Sequence, residues 1–459
     1  MMAEDSTTQA LAEASTTPRG YGVPVAAYVV IASMVGVGVL TTSGFTVAAV
    51  GSNQLMLLLW LFGGMVALCG ALTVAELAAS LPESGGDYIY LYQAYGPLAA
   101  FLSGWCSFLI GFGAPIAASA FASATYLLAP LGLHEPTSRL AHQALASVAI
   151  LAFAVVHTSG LRLSSRAHST LTLAKLGVLV SFLIAGLAGG WHNTANLIDR
   201  PPLDRHVLSA MLFSLVYISY GYTGWNAATY LAGEVRDPGR GLPRAILIGT
   251  IVVILLYLGL NTVYALALPS AEIRAIAGND GFDAVAPIAE LSARRLFSSS
   301  VSAPLSIAFG LTLLASLSAY VLTGPRVAFA MARAGHFPAI AGRLSARSQT
   351  PTIATFLQVA WSVALVWSGG FETIVIYASV GLALFSMLSV SSIYLLRWKK
   401  PSLPRPFRTP GYPFTPAVFL LVTAALTVAA FAERPMVSIY SLLTILAGIP
   451  VHYALRRSG

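Results

Sequence analysis

The stretch that decides the fold is Ser33-Met34-Val35-Gly36-Val37-Gly38-Val39-Leu40, in the middle of an apolar run over 24–48. A helix needs about 20 apolar residues to cross a bilayer, so the run is long enough to span. Its centre nevertheless carries two glycines two positions apart, which lets the backbone leave the helical path at mid-depth. A second interruption, Gly221-Tyr222-Thr223-Gly224, falls inside another apolar run over 206–232. The breaks fall in the first and sixth runs, five apart, so they occupy matching places in two halves of the chain. Helices broken at corresponding points of two repeats point to a transport site at the membrane midplane. The competing reading is that the glycines only allow close helix packing.

Working outward, twelve runs are bounded by polar, Pro or Gly punctuation: 24–48, 55–80, 94–128, 141–158, 168–190, 206–232, 243–268, 300–333, 352–369, 371–396, 413–431 and 437–455. The predicted fold is therefore an all-α membrane protein of twelve transmembrane helices. It divides into a cytoplasmic tail over 1–23, a first five-helix repeat over 24–190, a second over 206–396, and two accessory C-terminal helices over 413–455. The tail has no apolar core of its own, which reads as disordered rather than as a cleaved signal.

Composition agrees. Of 459 residues, 57% are hydrophobic and only 9% charged, against about a quarter charged in a soluble domain. The net charge of +8 needs no nucleic-acid partner, because topology accounts for it. With the N-terminus inside, seventeen of the 25 Lys and Arg residues fall at cytoplasmic ends, seven at external ends, and Lys175 remains within the fifth run. That bias places both termini in the cytoplasm of a cell-membrane protein. Cys69 and Cys106 sit in apolar runs and suggest neither a disulfide framework nor a zinc site. No HExxH, GxSxG, Walker loop or GxGxxG is present, and the eight histidines are scattered. The sequence thus gives no reason to expect an enzyme, a metal or a cofactor.

The breaks carry the chemistry. Around Met34, Val35, Gly36, Val37 and Gly38, unwinding would expose backbone N–H groups at the start of the following half-helix, a site for a carboxylate. The carbonyls of Tyr220, Gly221 and Thr223 would accept from an ammonium group. A carboxylate and an ammonium between two broken helices describe an α-amino acid.

Four further motifs carry a family resemblance. Pro82-Glu83-Ser84-Gly85-Gly86-Asp87-Tyr88 with Tyr95-Gly96-Pro97 is similar to the first cytoplasmic loop of the amino acid–polyamine–organocation transporters. Glu234-Val235-Arg236-Asp237-Pro238 followed by Leu242-Pro243-Arg244, and Arg333-Ala334-Gly335-His336-Phe337-Pro338, resemble later loops of that family. Tyr222-Thr223-Gly224-Trp225-Asn226 most resembles its L-type branch. The resemblance implies the five-plus-five inverted repeat shared with the bacterial leucine transporter, and alternating access. It also implies an aromatic lid at Tyr220, whose other reading is packing; Trp225 and Tyr217 read as structural. Lys175 would stand in for a bound cation, bridging carbonyls near Ser33 and Met34 to Ser316 and Ser318. Snorkelling of Lys175 to the interface is the alternative.

The departures are informative. Gly36-Val37-Gly38-Val39-Leu40 lacks the serine common in the first helix, and Thr223 replaces a usual glycine and narrows the pocket. The second external loop, 130–141, has no cysteine, so no disulfide-linked heavy subunit is expected. Glu76, near an inner helix end, reads as interfacially solvated, with a proton pathway as its other reading. No carboxylate falls at mid-depth, so the expected substrates are neutral amino acids of small to medium size. They would be carried without sodium, by proton coupling or exchange. A substrate-sensing receptor and an ion channel are the competing classes.

Overall fold

The computed structural model describes residues 20–83, 85–133, 137–199, 205–333, 335–346 and 348–458. The tail as far as Arg19, and parts of the loops at 134–136 and 200–204, lie outside the described residues. Among the described residues, nine helices are long and apolar enough to cross a membrane. The pair Val23–Met34 and Val37–Val50, bent by 42° at its break, makes a tenth if counted as one span. Two expected spans are shorter as helices. Arg205–Gly221 stops at the second break, and Thr352–Ser368 has 17 residues.

Local chemistry sets the ends. Ser52 opens the helix Asn53–Ser80 by accepting from the Leu55 N–H at 3.1 Å, the usual service of an N-cap hydroxyl. Prolines open Pro97–Cys106, Pro238–Ala267 and Pro435–Leu446, where a missing N–H costs nothing. The span Pro97–Leu131 is the most interior, 78% buried over its apolar window against 28% for Pro435–Leu455. Its Ala- and Ser-rich second half lies close against Ser299–Arg333. There Ser123 Oγ donates to the Gly310 carbonyl at 2.9 Å and Ser306 Oγ to the Tyr126 carbonyl at 2.7 Å. Small residues allow that approach where lipid gives helices no hydrophobic reason to associate. A π-turn runs over Ser107–Phe112. Gln358 Nε2 and Trp361 Nε1 donate to two of its carbonyls, at Phe108 and Leu109, at 2.5 and 2.7 Å.

The connection between the seventh and eighth runs is built from three short helices, Ser270–Asp280, Phe282–Val285 and Ile288–Leu296. One expectation is corrected. Glu76 is not solvated at an interface. It is 1% exposed and clasped by Arg397 through two bonds of 2.9 and 2.7 Å, with the Thr409 N–H donating at 2.6 Å. Such a fork matches a carboxylate's geometry and offsets its desolvation.

The first broken helix is covered at both ends. A Cβ on Gly44 in the half-helix Val37–Val50 would lie 1.9 Å from the Val285 carbonyl oxygen, and Phe45 stacks on Phe282 at 5.0 Å. At the other end, the Tyr21 N–H donates to the Glu234 carbonyl at 3.0 Å and the Arg236 N–H to the Tyr21 carbonyl at 2.9 Å.

Candidate functional site

Both glycine breaks lie where the sequence places them. Val23–Met34 ends and Val37–Val50 begins around Val35, which is extended, and Gly36, at φ −156° and ψ −143°. Arg205–Gly221 gives way to turns, then to the tight helix Ala227–Glu234. The breaks meet backbone to backbone. A Cβ on Gly38 would fall 2.2 Å from the Gly221 Cα, so no side chain fits at the crossing. Gly224 adopts φ +104°, a left-handed backbone, and a Cβ there would press on the Ser33 carbonyl at 3.0 Å. Gly36 differs: its Cβ would find Ser316 Oγ at 3.7 Å and the Tyr320 hydroxyl at 3.9 Å, which is ordinary contact. The space beside the first break therefore opens toward the helix Ser299–Arg333.

Lys175 reaches that break. It is 2% exposed, and its Nζ donates to the Val35 carbonyl at 2.6 Å, the Ala32 carbonyl at 3.1 Å and Ser316 Oγ at 3.4 Å. An ammonium at the carbonyl end of a helix is favoured by its dipole, and these acceptors replace the water the group has lost. The bonded carbonyls flank Ser33 and Met34 rather than belonging to them. The Met34 carbonyl is taken by the Tyr257 hydroxyl at 2.6 Å. Ser318 is not among the lysine's partners: its hydroxyl meets His157 Nε2 at 2.9 Å. Ser316 and Ser318, two positions apart on a helix, face different ways.

In the second break the Tyr220 carbonyl is already engaged, by the Thr223 N–H at 3.1 Å and the Thr223 hydroxyl at 2.8 Å. Among the described residues no backbone hydrogen bond outside the helices reaches the carbonyls of Gly221 or Thr223. Val37 and Gly38 open the half-helix Val37–Val50, which has no side-chain cap. Its leading N–H groups therefore have no partner within the helix. Tyr220 is 6% exposed. Tyr217, read as structural, donates to Glu372 at 2.5 Å, and Trp225 packs edge-on against Phe419, ring centroids 6.0 Å apart.

Sequence reasoning missed the aromatic brace behind the crossing. Trp60 meets Tyr222 and Tyr257 edge-on at 5.4 Å each, and the Tyr222 hydroxyl donates to the Trp60 carbonyl at 3.0 Å. A Cβ on Gly221 would strike the Trp60 ring at 2.9 Å. Tyr222 lies within the second break, but nothing in the sequence marks Trp60 or Tyr257 among seven tryptophans and 19 tyrosines. Tyr320, beside Gly36, was equally unmarked. Among the described residues no group of three or more His, Cys, Asp or Glu is placed to hold a metal ion.

Discontinuous apolar helices crossing at their breaks, with a buried ammonium on one of them, define a helical membrane carrier. The chain belongs to the amino acid permease family, whose profile matches residues 21–450, and this is a family of permeases rather than of enzymes. It is 28% identical to the human large neutral amino acids transporter small subunit 2, over 93% of this chain and 78% of that protein. It is 28% identical to the mouse Asc-type amino acid transporter 1, over 94% and 80%. It is 27% identical to the human cystine/glutamate transporter, over 93% and 83%.

Proposed function

We propose that this protein is a sodium-independent secondary transporter of neutral amino acids, working by alternating access with exchange or proton coupling. In this reading it sits in the cell membrane with twelve spans, ten in two inverted five-helix repeats and two accessory, and both termini in the cytoplasm. It acts without a disulfide-linked heavy subunit. The observation that carries the reading is the Lys175 ammonium on the Ala32 and Val35 carbonyls, bridged to Ser316. A fixed cation there leaves no need for a dissolved one. The substrate carboxylate would meet the N–H groups at Val37 and Gly38, and its ammonium the Gly221 and Thr223 carbonyls. Tyr220 would act as the lid.

Neutral substrates follow from the charge at the site. Lys175 is the one charged side chain that hydrogen-bonds to the backbone of either break among the described residues. A charged substrate side chain would be left unpaired in a dry site, which is costly. The relatives' names span neutral amino acids, cystine and glutamate, so the site rather than the names supports this choice. The relatives named here are transporters, and nothing favours the receptor or the channel. Uptake of labelled L-alanine and L-leucine into liposomes, with sodium replaced by choline, tests the reading. Equal uptake in both media supports it, and strict sodium dependence refutes it. Strongest competition by arginine or glutamate would refute the neutral class.

A further inference from the structure

A cleft open on one side lies beside the second break, with about 590 Å³ of empty space when the open volume at its mouth is counted. Its walls come from four stretches: Phe62 to Ala67, Leu215 to Trp225, Ser379 to Ser386, and Phe419 to Leu426. No residue of the first break lines it, and no charged side chain does. Its hydroxyls are mostly turned into the walls. Ser219 donates to the Val216 carbonyl at 2.8 Å, Ser379 to Val375 at 2.7 Å, and Thr223 to Tyr220 at 2.8 Å. The surface that remains is largely hydrocarbon. On two of its spans, the lining residue Phe62 is exposed and the lining residue Val422 half-buried. These residues lie toward the middle of Asn53–Ser80 and Phe414–Glu433, the depth at which acyl chains surround a membrane protein.

The cavity can thus be entered from the bilayer core, by something apolar. A zwitterionic amino acid cannot take that route without stripping two charges in hydrocarbon. We propose that this cavity binds one acyl chain of a bilayer phospholipid, wedged between the second, sixth, tenth and eleventh spans. There it packs against Tyr220, Tyr222 and Trp225 and supports the second break from the lipid side. The inference rests on the membrane location and not on which amino acid is carried.

The test reconstitutes the full chain in phosphatidylcholine vesicles containing phosphatidylcholine with a diazirine at mid-chain. After irradiation, adducts are mapped by peptide mass spectrometry. Adducts at buried Leu215, Thr423 and Leu426, beside the general labelling of exposed Leu421 and Leu255, are the expected result. Labelling confined to exposed side chains overturns the proposal. Filling the cavity by Ala67→Trp, or by Val422→Trp should the first variant not fold, is expected to cut the inner adducts about ten-fold, because a cavity overpacked by a large ring loses its occupant. Surface labelling should not change, and unchanged inner adducts would count against the site. A parallel arm with a diazirine sterol distinguishes the lipid class, and stronger inner labelling by the sterol would overturn the acyl-chain assignment. Loss of the inner adducts under saturating L-leucine would give the cavity to the substrate instead, and would leave the transport reading standing.

Discussion

The two breaks solve one problem in opposite ways. The first is short, only Val35 and Gly36 between half-helices, and no residue in it takes a left-handed backbone. Its carbonyls are satisfied by side chains from elsewhere, Lys175 and Tyr257. The second is longer and holds itself: Thr223 closes back on Tyr220, and Gly224 makes the left-handed turn. Two side chains tie it to other segments, Tyr222 through its hydroxyl on the Trp60 carbonyl at 3.0 Å and Asn226 through Nδ2 donating to Asp87 Oδ2 at 2.9 Å. A break held from outside can be loosened by changing its neighbours. One held from within answers mainly to its own residues.

The hardest blow should fall where the two share a contact. Gly38→Ala puts a methyl into the Gly221 backbone, and overpacking of this kind costs about 1–3 kcal/mol, up to about a hundred-fold in rate. Gly36→Ala, which has room, should stay within about two-fold by the same scale. Initial uptake rates in proteoliposomes, normalised to folded protein, decide it. Equal rates in the two variants would mean that the crossing tolerates separation.

Next comes the external support of the first break. Lys175→Ala strips two carbonyls of a charged donor, worth about 1.5–3 kcal/mol for such bonds, so uptake should fall roughly thirty-fold. Unchanged kinetics would return Lys175 to snorkelling.

The tie at the far end of the second break should respond to acid. Burial, opposed by the hydrogen bond from Asn226, lifts the Asp87 carboxyl from 3.8 to about 6. The docked loop therefore holds its proton more tightly than the undocked one. Docking is fully stabilised below pH 3.8, and that stabilisation is lost as pH rises through about 6. Between pH 5 and pH 7 the docking equilibrium should weaken about ten-fold by linkage. Amide hydrogen exchange over 85–95, corrected for intrinsic rates, reads this directly. Asp87→Asn should flatten the difference, and a pH-independent wild type would break the assignment.

The smallest effect belongs to the internal clasp. Thr223→Ala frees the Tyr220 carbonyl of a hydroxyl bond worth about 1 kcal/mol and widens the break, so KM should shift about five-fold in favour of larger neutral substrates, with kcat nearly unchanged. A competition series from alanine to phenylalanine measures it, and an unaltered order would separate Thr223 from selectivity.

Much of this comparison was legible in the chain. Glycine spacing located both breaks, because few other residues in an apolar run signal an unwound backbone. Lys175 stood out because a charge at mid-span is rare. The partners were not legible. Whether Ser316 or Ser318 faces the lysine depends on helix rotation, which a uniformly apolar run does not encode. Trp60 and Tyr257 were hidden among equally apolar neighbours. The pairing of Glu76 with Arg397 joins residues 321 positions apart, beyond the reach of any local pattern. The short helices from Ser270 to Leu296 were missed because their polar composition reads as a connection.

The pairing of Tyr21 with the strand-like end of the second break has a practical side. Two backbone bonds join the chain just ahead of the first half-helix to Glu234 and Arg236. Any movement of Val23–Met34 away from Glu234 and Arg236 would have to break both. A bulky fluorescent or affinity tag fused ahead of Tyr21 would therefore pull on these two bonds, and for transport assays the tag belongs at the other terminus.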